Sequence, residues 1–183
     1  MTKKELDEII KELDLWRENR FLTKTHQKNG YIGNMLEELS EFARASKTEE
    51  KVDALCDMLV FTLNTFDIDT QAYELNKIAQ APLPASILDF VFCLSDNQLM
   101  LDENKFFGKS DDMIMYIVKT CIFNISRMGY EPYLCMKEVL KEINSRAGSY
   151  IPEMKKWVKD TSDEAKAKWY KADFTQCIKE KGQ

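Results

Sequence analysis

Apolar residues recur along this chain at helical spacing, with few interruptions. Leu6, Ile9, Ile10, Leu13 and Trp16 fall at i, i+3, i+4, i+7 positions, which predicts an amphipathic helix over 3–20. Residues 21–30 hold Thr, His, Gln, Asn and Gly and read as a connection. A second helix is predicted at about 31–46, and a third at about 49–66 with Thr48 as its N-cap. The stretch 67–84 carries Asp67, Asp69, Pro82 and Pro84 and reads as irregular or as a short helix; 85–100 is mostly apolar and reads as helical. A loop follows, then Ser110 as an N-cap and helices at about 111–128 and 131–146, separated by Gly129-Tyr130. In the tail, Thr161-Ser-Asp-Glu164 has capping-box spacing and marks a further helix start. No fixed-period repeat is present. The hairpins 31–66 and 110–146 predict one all-α domain over 1–183: a four-helix core with a helical insertion and a C-terminal helical extension.

Composition agrees with that pattern. Only 6 Gly and 4 Pro occur in 183 residues, too few for the frequent turns of a β-sandwich or barrel. The net charge of −5 argues against a nucleic-acid polymer as ligand, because phosphate neutralisation needs a basic face. Cys56, Cys93, Cys121, Cys135 and Cys177 are odd in number and widely spaced, as in a reduced, cytoplasmic protein. A single His, His26, leaves little for a zinc or di-iron centre. No apolar run is long enough for a membrane span, and Lys3, Lys4 and Glu5 speak against a signal peptide.

The chemistry concentrates in residues 34–64. On the second helix Met35, Leu36, Leu39, Phe42 and Ala43 form the apolar stripe; Glu38 lies on its edge, Glu41 beside it, and Glu37 further towards solvent. Residues 52–63 of the third helix are apolar on every face except for Asp53, Asp57 and Thr62. Such a helix is normally buried, so its two aspartates need protonation, a basic partner or a cation. Folding the hairpin about a turn near residue 47 sets Glu41 opposite Asp53 and Glu38 opposite Asp57. No Lys or Arg falls on that patch, since Arg44 and Lys47 lie nearer the turn. Four converging carboxylates suit a hard divalent cation, Mg²⁺ or Mn²⁺. A Glu-rich helix is also what a solvated face looks like, and that reading stays open.

This constellation resembles the MazG-like all-α nucleoside triphosphate pyrophosphohydrolases, a superfamily that includes dimeric dUTPases and phosphoribosyl-ATP pyrophosphohydrolases. The family pattern is E-x-x-E on one helix and E-x-x-D on the next. Glu38-Leu-Ser-Glu41 matches the first half. In the second half Asp57 aligns with the last Asp, but Ala54 stands where Glu belongs and Asp53 lies one residue earlier. Glu50-Lys-Val-Asp53 is the literal alternative, which keeps Glu50, with Glu37, as a reserve ligand. A second run, from Lys141 to Gly148 and on through Lys156-Trp-Val-Lys159 and Trp169-Tyr-Lys171, is similar to the C-terminal portion of phage-type dATP/dGTP pyrophosphohydrolases.

The resemblance implies Mg²⁺-dependent cleavage of a nucleoside triphosphate between the α and β phosphates, and the C-terminal run implies a purine deoxynucleotide (dATP or dGTP) as substrate. Glu38 or Glu41 would act as general base, with Glu37 a weaker candidate. Lys141, Arg146, Lys156, Lys159 and Lys171 are the candidates for phosphate contacts; residues 150–183 hold 8 Lys against 6 acidic residues. Trp16, His26, Gln27, Asn29, Tyr31, Asn64 and Asn144 are the candidates for base or sugar contacts. Phe90, Phe92, Met113 and Met115 read as core or dimer interface, and a homodimer or homotetramer is implied. The competing reading is a non-catalytic helical regulator that binds nucleotide or protein through a degenerate metal site.

Overall fold

The structure, a computed structural model, describes residues 1–75, 110–154 and 156–180. It is mostly helical: α1 (Lys3–Glu18), α2 (Lys24–Arg44), α3 (Thr48–Thr65), α4 (Thr70–Leu75), α5 (Ser110–Arg127) and α6 (Pro132–Ser145). A two-stranded antiparallel sheet follows, β1 (Gly148–Ile151) and β2 (Lys156–Lys159), then the single turn α7 (Asp163–Lys166). The helix expected at 85–100, with Phe90 and Phe92, lies outside the described residues, as do residues 76–84 and Cys93.

The all-α class therefore holds. Its core, however, is built around α3, which packs against α1, α2, α5 and α6. Val52, Leu55, Cys56, Met58, Leu59 and Leu63 are all buried, as a helix apolar on every face requires. Leu6, Ile9 and Leu13 close the core from α1; Met115, Ile117, Val118 and Cys121 do so from α5. Cys56, Cys121, Cys135 and Cys177 are buried free thiols.

Three expectations are corrected. Residues 24–30 belong to α2 and are not a connection. The Thr23 hydroxyl accepts from His26 N–H, while His26 Nδ1 accepts from Thr23 N–H, and this reciprocal cap starts the helix before Gly30 can discourage it. The tail is not a helical extension: its main element is the β1–β2 hairpin, with Gly148 opposite Lys159 and Tyr150 opposite Trp157. The cap expected at Thr161 falls on Ser162, which accepts from Ala165 N–H and starts only one turn.

The hairpin is pinned to the bundle at the end of α1. Leu22 N–H bonds back to Arg17 C=O at 3.0 Å, and Phe21 takes φ 55° to make that turn. The Phe21 ring meets Tyr150 of β1, with centroids 5.8 Å apart. The buried Arg20 guanidinium lies between the rings of Trp16 (4.6 Å) and Trp157 (4.9 Å) and donates to the Ile143 carbonyl at 3.1 Å. A Cβ on Gly148 would stand 2.4 Å from the Trp157 indole and 2.4 Å from the Val158 carbonyl. Gly148→Ala is thus expected to push Trp157 off Arg20. A fall in melting temperature of about 3–8 °C, with a shifted tryptophan emission maximum, is the measurable result; an unchanged spectrum would contradict this packing.

Candidate functional site

Between α2, α3, the end of α6 and the hairpin lies a cleft of about 1030 Å³. Antiparallel pairing of α2 with α3 sets its layout, because residues equidistant from the turn share a level. Glu38 and Asp57 share one level of this cleft; Asn34 and Phe61 line the next; Gly30 and Asn64 line the far one. Asn64 lies seven positions beyond Asp57, so they stand on one face of α3 about 10 Å apart.

The carboxylate end is electrostatically crowded. Burial, then Glu41 and Asp53, push Glu38 up to about 7. Asp53 is pushed up to about 6, first by burial and then by Glu142. Asp57 is raised well above the ordinary carboxylate range by burial, with Glu38 and Asp53 adding to it. Glu142, on α6, is a member of this cluster that the hairpin argument missed. Its only signal was its i, i+4 spacing to Arg146, with which it pairs. Its other oxygen accepts from Ala172 N–H at 2.8 Å, which fastens the tail beside the cluster.

The patch does carry nearby cations, contrary to the sequence reading. Arg146 opposes the charge of Glu38, Asp53 and Asp57, and Lys171 opposes that of Asp53. Arg146, Lys156 and Lys159 line the same cleft as Glu38 and Asp57. Desolvation and the adjacent Arg146 hold Lys159 below its ordinary value. Among the described residues, buried Arg146 Nε has no hydrogen-bond partner, an orphaned donor that suits an anionic oxygen.

The other expected residues divide between the cleft and elsewhere. Glu37, Trp16, His26, Gln27, Asn29 and Asn64 line it. Glu41 is exposed and does not line it, although its charge reaches Glu38 and Asp53. Glu50 is held elsewhere: its carboxylate accepts from Ser46 N–H (3.1 Å) and Lys47 N–H (3.2 Å) and caps α3. Lys141 pairs with Glu138 outside the cleft, and Asn144 donates to its own helix at Leu140 C=O, 2.8 Å. Lys171 is exposed near Asp53 and not on the cleft wall. Tyr31 is wholly buried, its hydroxyl 3.2 Å from Thr62 Oγ1, so it belongs to the core. Among the described residues no three His, Cys, Asp or Glu side chains form a ready metal-ligand group. The donors at the carboxylate end are all oxygen, the set that suits Mg²⁺ or Mn²⁺ over softer metals.

No helix among the described residues is long and apolar enough to cross a membrane. Comparison with protein-family models, curated proteins and solved structures returned no match.

Proposed function

We propose that this protein is a divalent-cation-dependent nucleoside triphosphate pyrophosphohydrolase, releasing a monophosphate and pyrophosphate. The observation that carries the reading is the composition of one cleft: Glu38 and Asp57 line it together with Arg146, Lys156 and Lys159 and with aromatic and amide side chains. Its volume of about 1030 Å³ is large enough for a nucleotide. The resemblance of the C-terminal run makes a purine deoxynucleotide the first substrate to try. A cytoplasmic homodimer or homotetramer belongs with the same proposal.

Each group has a role in that chemistry. Glu38 and Asp57, with Asp53 behind them, would hold Mg²⁺, which typically takes one or two carboxylates and completes its shell with substrate phosphates and water. Incomplete protein ligation is therefore compatible with this metal. When bound, Mg²⁺ supplies neutralisation of triphosphate charge and acidification of water. Of the two candidate bases, Glu38 lines the cleft and would take a proton from the attacking water; its raised proton affinity supports that role near neutrality. Arg146 and Lys159 stabilise charge on the departing pyrophosphate, Arg146 through planar hydrogen bonds and Lys159 as a point charge. Lys156 extends the cationic wall.

Purified protein incubated with each dNTP and NTP plus Mg²⁺ is expected to release pyrophosphate and the matching monophosphate, and EDTA to stop it. Inorganic phosphate as sole product, or no turnover of any nucleotide, would refute the reaction. One observation favours a second reading, a non-catalytic nucleotide-binding regulator: the missing three-carboxylate group among the described residues. That reading expects Mg²⁺-nucleotide binding without pyrophosphate release in the same assay.

A further inference from the structure

Asn64 is buried, 1% exposed, yet it lines the cleft at the end opposite the carboxylates. Its Oδ1 accepts from Arg17 Nη1 at 2.8 Å. Arg17 is itself buried, and its Nη2 is paired with Asp14. A guanidinium has donors and no acceptor, so it dictates which way the amide points: a flip would set N–H against N–H. Asn64 Nδ2 makes no hydrogen bond within the described residues, while Oδ1 already accepts from Arg17, so the unused donor is what this fixed amide has to offer a ligand in the cleft. An asparagine free to rotate can serve either a carbonyl or an amino group, whereas this one has its oxygen held towards Arg17 and its N–H donors unused.

We propose that Asn64, oriented by Arg17, selects nucleotides whose base carries a carbonyl at purine C6 or pyrimidine C4 over those carrying an amino group at that position. The inference rests on the nucleotide reading above and deepens it. With the phosphates among Arg146, Lys159, Glu38 and Asp57, a site two helical turns away on the same face of α3 is at base distance. Trp16, next to Arg17 in sequence, also lines the cleft. An amino group facing Nδ2 would leave two buried donors opposed, which disfavours adenine and cytosine there. This narrows the purine expectation to the hypoxanthine and guanine type.

The test compares dITP with dATP, which differ at C6 and its neighbouring N1, and dUTP with dCTP, using the full chain with Mg²⁺. Specificity constants are measured alongside tryptophan-quenching affinities, so that binding is read even where turnover is slow. The wild-type protein is expected to favour the keto member of each pair by about tenfold or more. Asn64→Ala is expected to bring both ratios close to one, and Asn64→Asp, which can only accept, to move them towards the amino member. Arg17→Met frees the amide to turn and is expected to weaken the preference while leaving Asn64 in place. An unchanged ratio in Asn64→Ala, or a wild-type preference for the amino member, overturns the proposal while leaving a nucleotide-hydrolysing enzyme. No binding or cleavage of any of the four by folded wild-type protein overturns the functional reading itself.

Discussion

Asp57→Asn is expected to lower pyrophosphate release by about 10³-fold or more while making the metal-free protein more stable. The two effects have one cause. Asp57 is held among Glu38, Asp53 and Glu142, and burial raises the cost of its charge. An asparagine of the same shape removes that charge and its repulsions. At pH 8 without divalent cations this is worth about 1–3 kcal/mol, or a rise of about 3–8 °C in melting temperature. Loss of a carboxylate that helps hold Mg²⁺ costs transition-state stabilisation of about 4 kcal/mol, hence the rate loss. A purely structural aspartate behaves in the opposite way: its amide retains activity and loses stability. Circular dichroism melts beside the pyrophosphate assay separate the cases, and an active, destabilised Asp57→Asn would remove Asp57 from the site.

Metal-free protein is also expected to melt higher at pH 5.5 than at pH 8, with Mg²⁺ restoring stability at pH 8. Burial first, then neighbouring carboxylates, raise Glu38 to about 7 and Asp53 to about 6 from ordinary values near 4. A carboxyl group whose folded value is raised binds its proton more tightly in the folded state. Its stabilising contribution is full below the unfolded value and is lost as pH rises through the folded one. The window for these groups runs from about pH 4 to about pH 7. Treating the pair as coupled and partly screened, the change is about 2–3 kcal/mol, or about 5–10 °C. A divalent cation replaces the lost protons, so Mg²⁺ raises the pH 8 melt more than the pH 5.5 melt and releases protons on binding. In Glu38→Gln both the pH difference and the Mg²⁺ effect shrink. Equal melts at the two pH values, or an Mg²⁺ effect that survives in Glu38→Gln, would show that the crowded carboxylates do not hold the ion.

Some of this site was legible from residue spacing. Glu38 and Asp57 were paired by counting from the turn near residue 47, and antiparallel packing of α2 on α3 places both on one cleft. Arg146, Lys156, Lys159, Trp16, Gln27, Asn29 and Asn64 were also named, and they line it. The misses share a physical origin. Glu50 has the right charge and level, but the exposed N–H groups at the start of α3 sit within its reach and take it first. Tyr31 looked like a base contact because it lies with His26, Gln27 and Asn29 just before the carboxylate-bearing stretch; on the other face of α2, it is wholly buried. Glu142 lies more than eighty residues beyond the aspartates it repels, and no local pattern links them. The hairpin escaped because four-residue strands such as Lys156-Trp-Val-Lys159 are too short for a period to declare itself.

Helical periodicity, the apolar third helix and the buried aspartate pair were fixed locally, by residue type and by 3.6 residues per turn. These alone determined an α-helical bundle with a charged fault along α2 and α3. Tertiary structure decided what faces that fault. Arg20 between two tryptophans, Gly148 under Trp157 and Glu142 holding the tail accompany the placing of Arg146, Lys156 and Lys159 on the cleft that Glu38 and Asp57 line. Contacts between elements so far apart in sequence are chosen by shape and hydrogen-bond complementarity. That is why a tail that is merely lysine-rich in the sequence becomes the cationic wall of a cleft only once the chain has folded.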